Sequence, residues 1–584
     1  VNLDKIFMKI NLLNELKKNL KKNLRGLPII KVALLGDNAT QLLAIALKGI
    51  GFERGYNIEL FESDYNQIER QFLDQTSELY TFDADFVVVS QSTHKLLTTF
   101  NKKDVESQSK VAYERLEFVK NISNKIKSNL IYFNYPEIDD NVFGNYANKL
   151  KNSFTYQVRK LNYELMNLSN QKPNFFICDI SSLQNKFGRD MIFDTSLYVT
   201  SEIVFSIDAI PYVASRTMDI ISAVNGKFKK CLILDLDNTI WGGIIGDDGI
   251  ENIQLGHGLG IGKAFSEFQE WIKKLKNRGI ILTICSKNTE KIAKDSFENH
   301  PEMILKLSDI SIFKSNWDNK VNNIRQIQST LNIGFESMVF LDDNPFERNM
   351  VRQNLPEVTV PELPEDPGDY LEYLYSLSLF ETVSYTSNDI ERTNQIQAES
   401  LRSNVQKSFT TENKFLKSLG MVSEVKPFNK FNTPRVSQLS QRSNQFNLRT
   451  IRFLEGEIKN ISNDNNYKDF SFTLSDIYGD NGLICIVILE KKNKKDLFIN
   501  SWIMSCRVLN RGMENFTLNT IVKYAHKNGF KKIFGEYIET PKNKIVEGLY
   551  QNLGFSPLDL NGQNRYELNV DNYDIKKCYI KTKI

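Results

Sequence analysis

The chain is 584 residues long, with 41% apolar residues and a formal net charge of +3. This length predicts roughly three or four domains, and the near balance of charge argues against nucleic acid as a partner. The chain lacks the run of about 18 or more apolar residues that a transmembrane segment needs. Its cysteines show no CxxC pair and no regular spacing, which is typical of reduced thiols in a cytoplasmic protein without a zinc site.

Residues 1–30 are predicted to form an N-terminal amphipathic helix that is rich in lysine. The segment lacks the apolar core of a signal peptide. Contact with a membrane surface is one interpretation. We favour the other, a solvated helix that packs on the first domain.

Residues 31–226 are predicted to form a doubly wound, flavodoxin-like α/β domain. Apolar runs such as KVALLG and DFVVVS alternate with helical segments, which favours a parallel sheet. The loops that follow these runs should converge at one edge, where α/β domains bind ligands. They contain Gly36-Asp37-Asn38, Ser90-Gln91-Ser92 and Asn134.

This first domain resembles the SGNH hydrolases, whose first strand ends in Gly-Asp-Ser. Here Asn38 stands at the position of the serine nucleophile. The closing Asp-x-x-His is also absent, because Asp194 is followed by Leu197 three residues later. A serine–histidine mechanism needs both groups, so we expect the fold without esterase activity. Ligand binding and plain scaffolding both stay open for this domain.

The run CLILDLDNTIW opens the second predicted domain, residues 227–365. Its apolar half, Cys231–Leu234, is typical of a buried parallel strand, and Asp235 and Asp237 follow directly. Two acids at the end of a buried strand are unfavourable without a partner. A divalent cation is the simplest partner, and phosphoryl chemistry is the simplest use of both.

Three further strands of this domain end near polar residues. IILTICS ends in Ser286, ISIFKSNW precedes a helix that begins at Lys320, and SMVFLDD ends in Asp342-Asp343. In order and type the set resembles the four motifs of the haloacid dehalogenase (HAD) superfamily, with Asp235-x-Asp237-x-Thr239 as the first. The resemblance implies a Rossmannoid α/β phosphatase domain.

Each residue of the set has a predicted role. Asp235 would attack phosphorus and form an aspartyl-phosphate, and Asp237 would act as general acid and then as general base. Mg²⁺ prefers oxygen ligands, which Asp235, the Asp237 carbonyl, Asp342 and Asp343 would supply. The predicted phosphate-binding residues are Thr239, Ser286, Lys287 and Lys320, the last of which adds positive charge in the transition state.

The spacing of these motifs indicates the kind of substrate. About 50 residues separate Asp237 from Ser286, and a predicted amphipathic helix at 264–279 uses a third of them. The Gly-rich remainder is predicted to form turns and short strands and is too short for a large cap domain. We therefore expect an open site that accepts a large or tethered phosphorylated substrate.

Residues 366–409 are predicted to be a helical linker, and residues 410–584 an α+β domain. That last domain resembles the GNAT acetyltransferases, with VEGLYQNLGF closing its core. The turn Arg507-Val-Leu-Asn-Arg511-Gly512 would point backbone N–H groups at coenzyme A or at the phosphopantetheine of a carrier protein. The alternative is an ordinary turn between a strand and a helix.

Taken together, LDLDNTIWGGIIGDDG, FLDDNPFERNMV and SNQFNLRT make the chain similar to the FkbH-like proteins, a branch of HAD subfamily IIIC. Members are linked to transfer of a glyceryl unit from 1,3-bisphosphoglycerate to an acyl carrier protein, in polyketide and surface-polysaccharide pathways. Many carry Cys between the first two aspartates, where this chain has Leu236. No carrier-protein attachment site is present in the chain, so a carrier would act in trans.

Three functions follow from these resemblances. The first is a Mg²⁺-dependent phosphatase or phosphoryl-transfer enzyme in a biosynthetic pathway. The second is glyceryl transfer to a carrier protein, for which Leu236 leaves no thiol between the aspartates. The third is a non-catalytic scaffold that binds a phosphorylated ligand, and the intact Asp235, Asp237 and Lys320 argue against it.

Overall fold

The computed structural model describes residues 12–386, 389, 391–406, 408–540, 542–560 and 563–583. The predicted helix at the N-terminus lies partly outside these residues, since residues 1–11 are not among them. The described chain divides into two compact units, one that ends at Val224 and one that begins at Asn225. Within the described ranges, no helix combines the length and the apolar character that a bilayer crossing requires.

The first unit is built on a parallel sheet in the order β2-β1-β3-β4-β5. Each strand is an apolar run, and helices cover both faces because a parallel sheet is buried on both sides. Its strands are β1 (Ile29–Gly36), β2 (Asn57–Glu62), β3 (Phe86–Ser90), β4 (Asn129–Phe133) and β5 (Phe175–Cys178).

Helices connect the successive strands of this unit. Leu16 packs against Gly49, where a Cβ atom would lie 2.7 Å from the Leu16 Cβ. The helices are α1 (Leu13–Asn19), α2 (Gln41–Glu53), α3 (Ile68–Leu73), α4 (Glu78–Phe82), α5 (Thr93–Asn101), α6 (Val105–Gln108), α7 (Val111–Lys125), α8 (Phe154–Gln171), α9 (Ile180–Phe187), α10 (Arg189–Ile192), α11 (Thr195–Ser201) and α12 (Ile210–Val224).

The second unit begins with another parallel sheet, in the order β8-β7-β6-β9. Its strands are β6 (Cys231–Leu234), β7 (Ile281–Ser286), β8 (Ile310–Ser315) and β9 (Met338–Leu341). Its helices are α13 (Ile245–Asp248), α14 (Ile261–Asn277), α15 (Glu290–Asn299), α16 (Lys320–Leu331) and α17 (Pro345–Asn354). Because β6 is central, its carboxyl end is flanked by the ends of β7 and β9.

Two helices link this sheet to the C-terminal domain, namely α18 (Tyr370–Leu377) and α19 (Arg392–Gln406). Helix α19 contacts β7, β8 and the sheet of the C-terminal domain. The Gln397 side chain donates to the Ile310 carbonyl at 2.9 Å on one side. On the other side Arg402 pairs with Asp476. The linker is therefore packed between the two domains.

The C-terminal domain is a mainly antiparallel sheet in the order β16-β17-β15-β14-β13-β12-β10-β18, with β11 also on β12. The strands are β10 (Val422–Ser423), β11 (Val425–Lys426), β12 (Tyr467–Asp476), β13 (Gly479–Lys491), β14 (Asp496–Met504), β15 (Lys532–Glu536), β16 (Ser556–Leu560), β17 (Gln563–Asn569) and β18 (Lys581–Thr582). The helices are α20 (Glu412–Ser418), α21 (Thr433–Arg442), α22 (Glu455–Asn463), α23 (Met513–Lys527) and α24 (Leu549–Asn552).

The predicted multidomain α/β fold class is confirmed. Local differences have physical reasons. The segment after Trp241 was predicted as turns and short strands, yet it forms the short helix α13, in which the Ile245 backbone N–H bonds to the Asp237 side chain. The charged segment near 103–128, whose pattern predicts one amphipathic helix, forms two helices, because the Asp104 side chain caps α6 separately from α7.

The pair Arg402–Asp476 should be a large contributor to the stability of the second unit. The guanidinium donates two hydrogen bonds, at 2.7 and 2.8 Å, to the two oxygens of Asp476, and the side chains are 3% and 0% exposed. Replacing Arg402 with Met leaves the buried Asp476 carboxylate with the more distant Arg511, at 3.5 Å, and should lower the free energy of unfolding by about 3 kcal/mol. Urea unfolding measures this loss.

The matched control for this change is Lys531→Met, which breaks the exposed pair with Asp571. An exposed pair contributes at most about 1 kcal/mol. Equal losses in the two variants would contradict a special role for the buried pair.

Candidate active site

Asp235 lies where the central strand of its sheet ends. Its backbone N–H donates to the Leu341 carbonyl at 3.0 Å, which extends the β6–β9 ladder by one step. Asp342 follows Leu341 directly, so the ends of two neighbouring strands bring both acids to the same edge. Asp235 is 6% exposed and Asp342 is fully buried.

Three carboxylates meet at this edge. One oxygen from each of Asp235, Asp342 and Asp343 lies within 4.8 Å of the others. The Lys320 Nζ lies among them, 2.9 Å from Asp235 Oδ1 and 2.6 Å from Asp342 Oδ2. Lys320 is the first residue of α16, and the Asn319 side chain caps that helix, so the position of the ammonium is set by a helix start.

The charges at this site act strongly on one another because water is excluded. Burial raises the pKa of Asp342 and Asp343, and the neighbouring charge of Asp235 raises both further. Burial alone would lower the pKa of Lys320, but the carboxylates of Asp235 and Asp342 raise it well above its ordinary value. Lys320 is thus a permanent cation, and the three carboxylates still carry more negative charge than it balances.

These carboxylates fit a divalent cation. Hard cations such as Mg²⁺ take clustered carboxylate oxygens as ligands, and the oxygens of these three residues are clustered in this way. Asp235, Asp342 and Asp343 would hold the ion. The side-chain oxygens of Asp237 bond to Trp241, Ile245 and Asn288, so the predicted metal ligand from this residue is its backbone carbonyl only.

Asp237 is held by three donors. Its Oδ1 accepts from the Trp241 indole and from the Ile245 backbone N–H, each at 3.0 Å. Its Oδ2 accepts from the Asn288 amide at 2.8 Å. The Asn288 amide also lies 3.4 Å from Ser286 Oγ, so it connects the ends of β6 and β7.

The acidic loop after β9 is held from both sides. The Thr239 hydroxyl accepts from the Asp343 backbone N–H at 3.1 Å and lies 3.3 Å from Asp343 Oδ1. The Arg348 guanidinium donates to the carbonyls of Asp342 and Asp343 at 2.8 and 2.6 Å. Thr239 therefore positions the loop in this structure, and its contact with phosphate stays a prediction.

Lys287 and Ser286 differ in their surroundings. Ser286 is 2% exposed and lies beside the Asp237–Asn288 pair. Lys287 is partly exposed and forms an ion pair with Glu347 at 2.6 Å. Its predicted role in phosphate binding requires the ammonium to leave or share this carboxylate.

Sequence reasoning missed three residues of the site, namely Asn288, Trp241 and Arg348. Asn288 follows Ser286 by two residues, so its place near a strand end was a usable signal. Trp241 and Arg348 carried no such signal, because their partners are set by the loop paths after β6 and β9.

The thiols near the first motif are all buried. Cys231 and Cys285 are 0% exposed and belong to an apolar cluster beneath the sheet. Burial raises the pKa of the Cys231 thiol to about 12 and raises that of Cys285 as well. Leu236 is also 0% exposed and packs with Trp241 and Ile240. None of these three side chains offers a thiolate at the carboxylate edge.

In the first unit, the predicted loops do converge. The Ser92 backbone N–H donates to Asp37 Oδ1 at 2.9 Å, and the Asn38 amide donates to the Ser90 carbonyl at 3.0 Å. A small pocket lies beside them and is lined by Gln91, Ser92, Thr93, His94, Phe133, Asn134, Pro136, Ile138, Ile180, Gln184, Arg189, Ile192, Phe193, Val204 and Phe205.

His94 is the histidine of this cavity, and the sequence pattern did not indicate it. Its ring stacks on Phe193 at a centroid distance of 3.9 Å, and its Nε2 lies 3.2 Å from the Arg189 guanidinium. Because a guanidinium only donates, Nε2 accepts and Nδ1 carries the proton. Burial, with the charge of Arg189, lowers the pKa of His94 to about 4.

The predicted coenzyme A turn lies in the C-terminal domain. Arg511 is buried and its guanidinium bonds to Glu399 and to the Arg507 carbonyl. Gly512 has a φ of 74°, a conformation that favours glycine, and precedes α23. A turn is thus present before α23, and the Arg511 side chain forms an ion pair there, while binding of coenzyme A stays a prediction.

Residues 446–448 lie beside the last part of β14, where β14 is not paired with β15. β14 pairs with β15 only near their first residues, from Asp496 to Phe498. Beyond that point, the Met504 backbone N–H donates to the Phe446 carbonyl at 3.0 Å, and the Ile538 N–H donates to the Leu448 carbonyl at 2.8 Å. A pantetheine arm that paired with the end of β14 would have to displace residues 446–448.

Comparisons with known proteins agree with this architecture. The crystal structure of the N-terminal part of the protein BF1531 from Bacteroides fragilis, described as containing a phosphatase domain complexed with Mg, is 62% identical. The match covers 64% of this chain and 100% of that chain, with a TM-score of 0.63. The model of the FkbH N-terminal domain matches residues 31–222.

Two acetyltransferase structures are similar to a smaller part of this chain. The ribosomal-protein-S18-alanine N-acetyltransferase from Escherichia coli is 13% identical, with 26% of this chain and 94% of that chain covered and a TM-score of 0.20. The spermidine N-acetyltransferase from Vibrio cholerae, in complex with CoA and spermine, is 15% identical, with 26% and 96% covered and a TM-score of 0.20. We draw no activity from these two. Among curated proteins, none matches the chain.

The fold and the carboxylate site define a multidomain α/β protein with a site of the phosphatase type. The near-complete match to the Bacteroides fragilis structure and the match to the FkbH N-terminal domain then fix the family. The chain belongs to the FkbH-like family.

The half-buried His94 should make the first unit sensitive to acid. In the unfolded chain His94 takes up a proton near pH 6.5, whereas in the fold it stays neutral down to about pH 4. Stability is therefore present above pH 6.5 and is lost as the pH falls from there toward 4. We expect a loss of about 1 kcal/mol between pH 7 and pH 5, after allowance for solvent screening.

Native-state hydrogen exchange of β1–β5 at the two pH values measures this loss. The variant His94→Phe should lose less stability than the parent protein over the same interval. The control is His257→Phe, which changes an exposed histidine of the second unit. An unchanged pH dependence in His94→Phe would show that other groups cause the acid sensitivity.

Proposed function

We propose that this protein is a Mg²⁺-dependent HAD-type phosphatase or phosphoryl-transfer enzyme that acts through an aspartyl-phosphate. The observation that best supports this proposal is the set of three carboxylates around the Lys320 ammonium, at the carboxyl edge of a parallel sheet. The Bacteroides fragilis relative, described as a phosphatase domain complexed with Mg, supports this proposal. We place the enzyme in a biosynthetic pathway of the surface-polysaccharide or polyketide-like type.

In the first step Asp235 attacks phosphorus. A bond forms between its carboxylate oxygen and phosphorus while the bond to the leaving oxygen breaks. Lys320, held 2.9 Å from Asp235 Oδ1, adds positive charge beside the transferring group. Bound at the three carboxylates, Mg²⁺ would supply the positive charge that allows a phosphate dianion to approach them.

Asp237 supplies the proton for the leaving oxygen and removes one from water in the second step. Its three hydrogen bonds fix the carboxyl group in one orientation. A carboxylate oxygen accepts two hydrogen bonds, so Oδ2 keeps one lone pair beside the Asn288 amide for this proton. Water attack on the aspartyl-phosphate then releases phosphate and restores Asp235.

The substrate is a phosphorylated small molecule or a tethered phosphorylated group. Between Asp237 and Ser286 the described chain forms only α13 and α14 as helices, and α14 packs into the core of the domain. A site without a large cap is open toward solvent, and an open site favours a large or tethered substrate. A carrier protein in trans would be one such tether.

Glyceryl transfer is the weaker proposal for this chain. A thioester step needs a thiolate near Asp235, and Leu236, Cys231 and Cys285 do not supply one. Binding of coenzyme A or phosphopantetheine at Arg507, Arg511 and Gly512 stays a prediction. The scaffold alternative is also weaker, because ligand binding alone does not need Asp237 to be held by three donors.

Replacing Asp235 with Asn should abolish release of phosphate from any accepted substrate, because the amide is a poor nucleophile. A screen of phosphorylated metabolites with Mg²⁺, followed by release of inorganic phosphate, measures this. The control variant is Asp247→Asn, an exposed aspartate of α13, which should keep full activity. Addition of EDTA should also abolish activity. Full activity of the Asp235→Asn variant would overturn the proposal.

Replacing Asn288 with Ala should lower kcat by about 10- to 100-fold with little change in KM. The reason is that Asn288 contacts Asp237 rather than the substrate, so its loss disturbs the proton transfers. The pH dependence of kcat should shift together with the rate, which a purely structural effect would not produce. A rise in KM alone would instead place Asn288 in substrate binding.

A further inference from the structure

A cluster of five cations lies away from the carboxylate site. It consists of Lys230, Arg392, Arg435, Arg442 and Arg507, and we call it the arginine cluster. These residues come from four separate places in the second unit: the approach to β6, the start of α19, helix α21 and the turn after β14. The fold therefore assembles it from residues that are distant in sequence.

Contacts tie the members together. The Lys230 ammonium donates to the Arg442 carbonyl at 3.2 Å, and both side chains lie over the Phe228 ring, at 5.3 and 5.5 Å from its centroid. The Arg442 guanidinium pairs with Asp389, and the Gln438 amide donates to the other oxygen of Asp389. Arg435 in turn donates to the Gln438 carbonyl oxygen.

The remaining members have neutral partners. Arg392 donates to the Gly279 carbonyl at 3.3 Å, and Asp389 packs against the same glycine. Arg507 donates to the Ser505 hydroxyl at 3.1 Å. The Nε of Arg435 is buried and has no hydrogen-bond partner among the described residues. Among the described residues, Asp389 is the carboxylate that forms an ion pair with this cluster, through Arg442.

The members carry like charge and lie close together, so they repel one another. Burial lowers the pKa of Arg435 to about 9 and that of Arg507 to about 10, and the charges of neighbouring arginines lower both further. Burial and the charge of Arg392 lower the pKa of Lys230 to about 7. A fold gains nothing from buried cations without anions, because the loss of hydration is not offset.

The arginine cluster is distinct from the candidate active site. Lys230 precedes β6 and Gly279 precedes β7, so the cluster lies at the amino edge of the parallel sheet. Asp235 follows β6 at the opposite edge, and a strand of four residues spans about 13 Å. Solvent reaches the cluster, since the four arginines are partly exposed and the Arg442 side chain is 14% exposed.

We propose that the arginine cluster binds a molecule that carries two or more phosphoryl groups. Arg392, Arg435 and Arg507 form no ion pair among the described residues, and a monovalent anion would offset only part of their charge. Guanidinium groups bind phosphoryl oxygens with two parallel hydrogen bonds. Among the described residues, Arg435 and Arg507 each donate one side-chain hydrogen bond, to Gln438 and to Ser505, so both keep further N–H groups for this. A diphosphate or bisphosphate matches both the charge and the spread of donors.

Calorimetric titration with inorganic pyrophosphate, in EDTA so that metal-bound species do not contribute, tests this site in the full chain. The parent protein should bind, and Arg435→Gln and Arg507→Gln should each weaken binding at least about tenfold. Asp235→Asn should bind like the parent, as should Arg325→Gln, which changes an exposed arginine. No binding by the parent would overturn the proposal, and so would binding by both cluster variants as tight as that of the parent.

Thermal unfolding in buffer without phosphate gives a second test. If the cluster is an anion-binding site, Arg435→Gln and Arg507→Gln relieve repulsion, so the Tm of each variant should equal or exceed that of the parent. Pyrophosphate should then no longer raise the Tm of either variant. If the arginines are instead structural, both variants should lower the Tm and the shift with pyrophosphate should persist, which contradicts the proposal. Two variants keep the test valid if one does not fold.

Coenzyme A distinguishes the source of the phosphoryl groups, because it carries a diphosphate on a nucleotide. Binding of coenzyme A that weakens in the cluster variants by the same factor as pyrophosphate would assign the site to a nucleotide end. Binding of pyrophosphate without coenzyme A would assign it to a free diphosphorylated small molecule. Coenzyme A binding that is unaffected in both variants, without pyrophosphate binding, would overturn the proposal.

Discussion

The Lys320 ammonium between Asp235 and Asp342 is the contact on which the candidate site depends. Three carboxylates at a buried strand edge repel one another, and one cation offsets part of that repulsion. Because α16 begins at Lys320, the helix start, the β6–β9 ladder and the acidic loop must all be in place for this contact to form. The fold of the second unit and the chemistry of its site therefore rest on the same charges.

Much of this site was predictable because parallel strands end at one edge of a sheet. Apolar runs marked β6, β7 and β9, and Asp235, Ser286 and Asp342 followed them directly. The hydrogen bonds that orient Asp237 were not predictable, since Trp241 and Asn288 reach it through loops whose paths no periodicity encodes. The same reason explains the short helix α13, which forms where the pattern indicated turns.

The linker and the C-terminal domain show how far domain-level reasoning reaches. The pattern predicts a polar helical linker, and α19 is a helix in that segment. Its packing against both domains depends on Gln397 and Arg402, because their partners lie in strands that are distant in sequence. The segment 446–448 beside β14 is a similar case. Such long-range backbone pairs leave no mark in the local sequence, so the position of this segment could only be seen in the structure.

The two edges of the central sheet carry opposite charge. At the carboxyl edge, negative side chains exceed Lys320, and at the amino edge the arginine cluster exceeds Asp389. Neither excess stabilises the free protein, since unbalanced buried charge costs free energy in either sign. We propose that each excess is met by a charged partner from solution, a cation at one edge and a phosphorylated anion at the other.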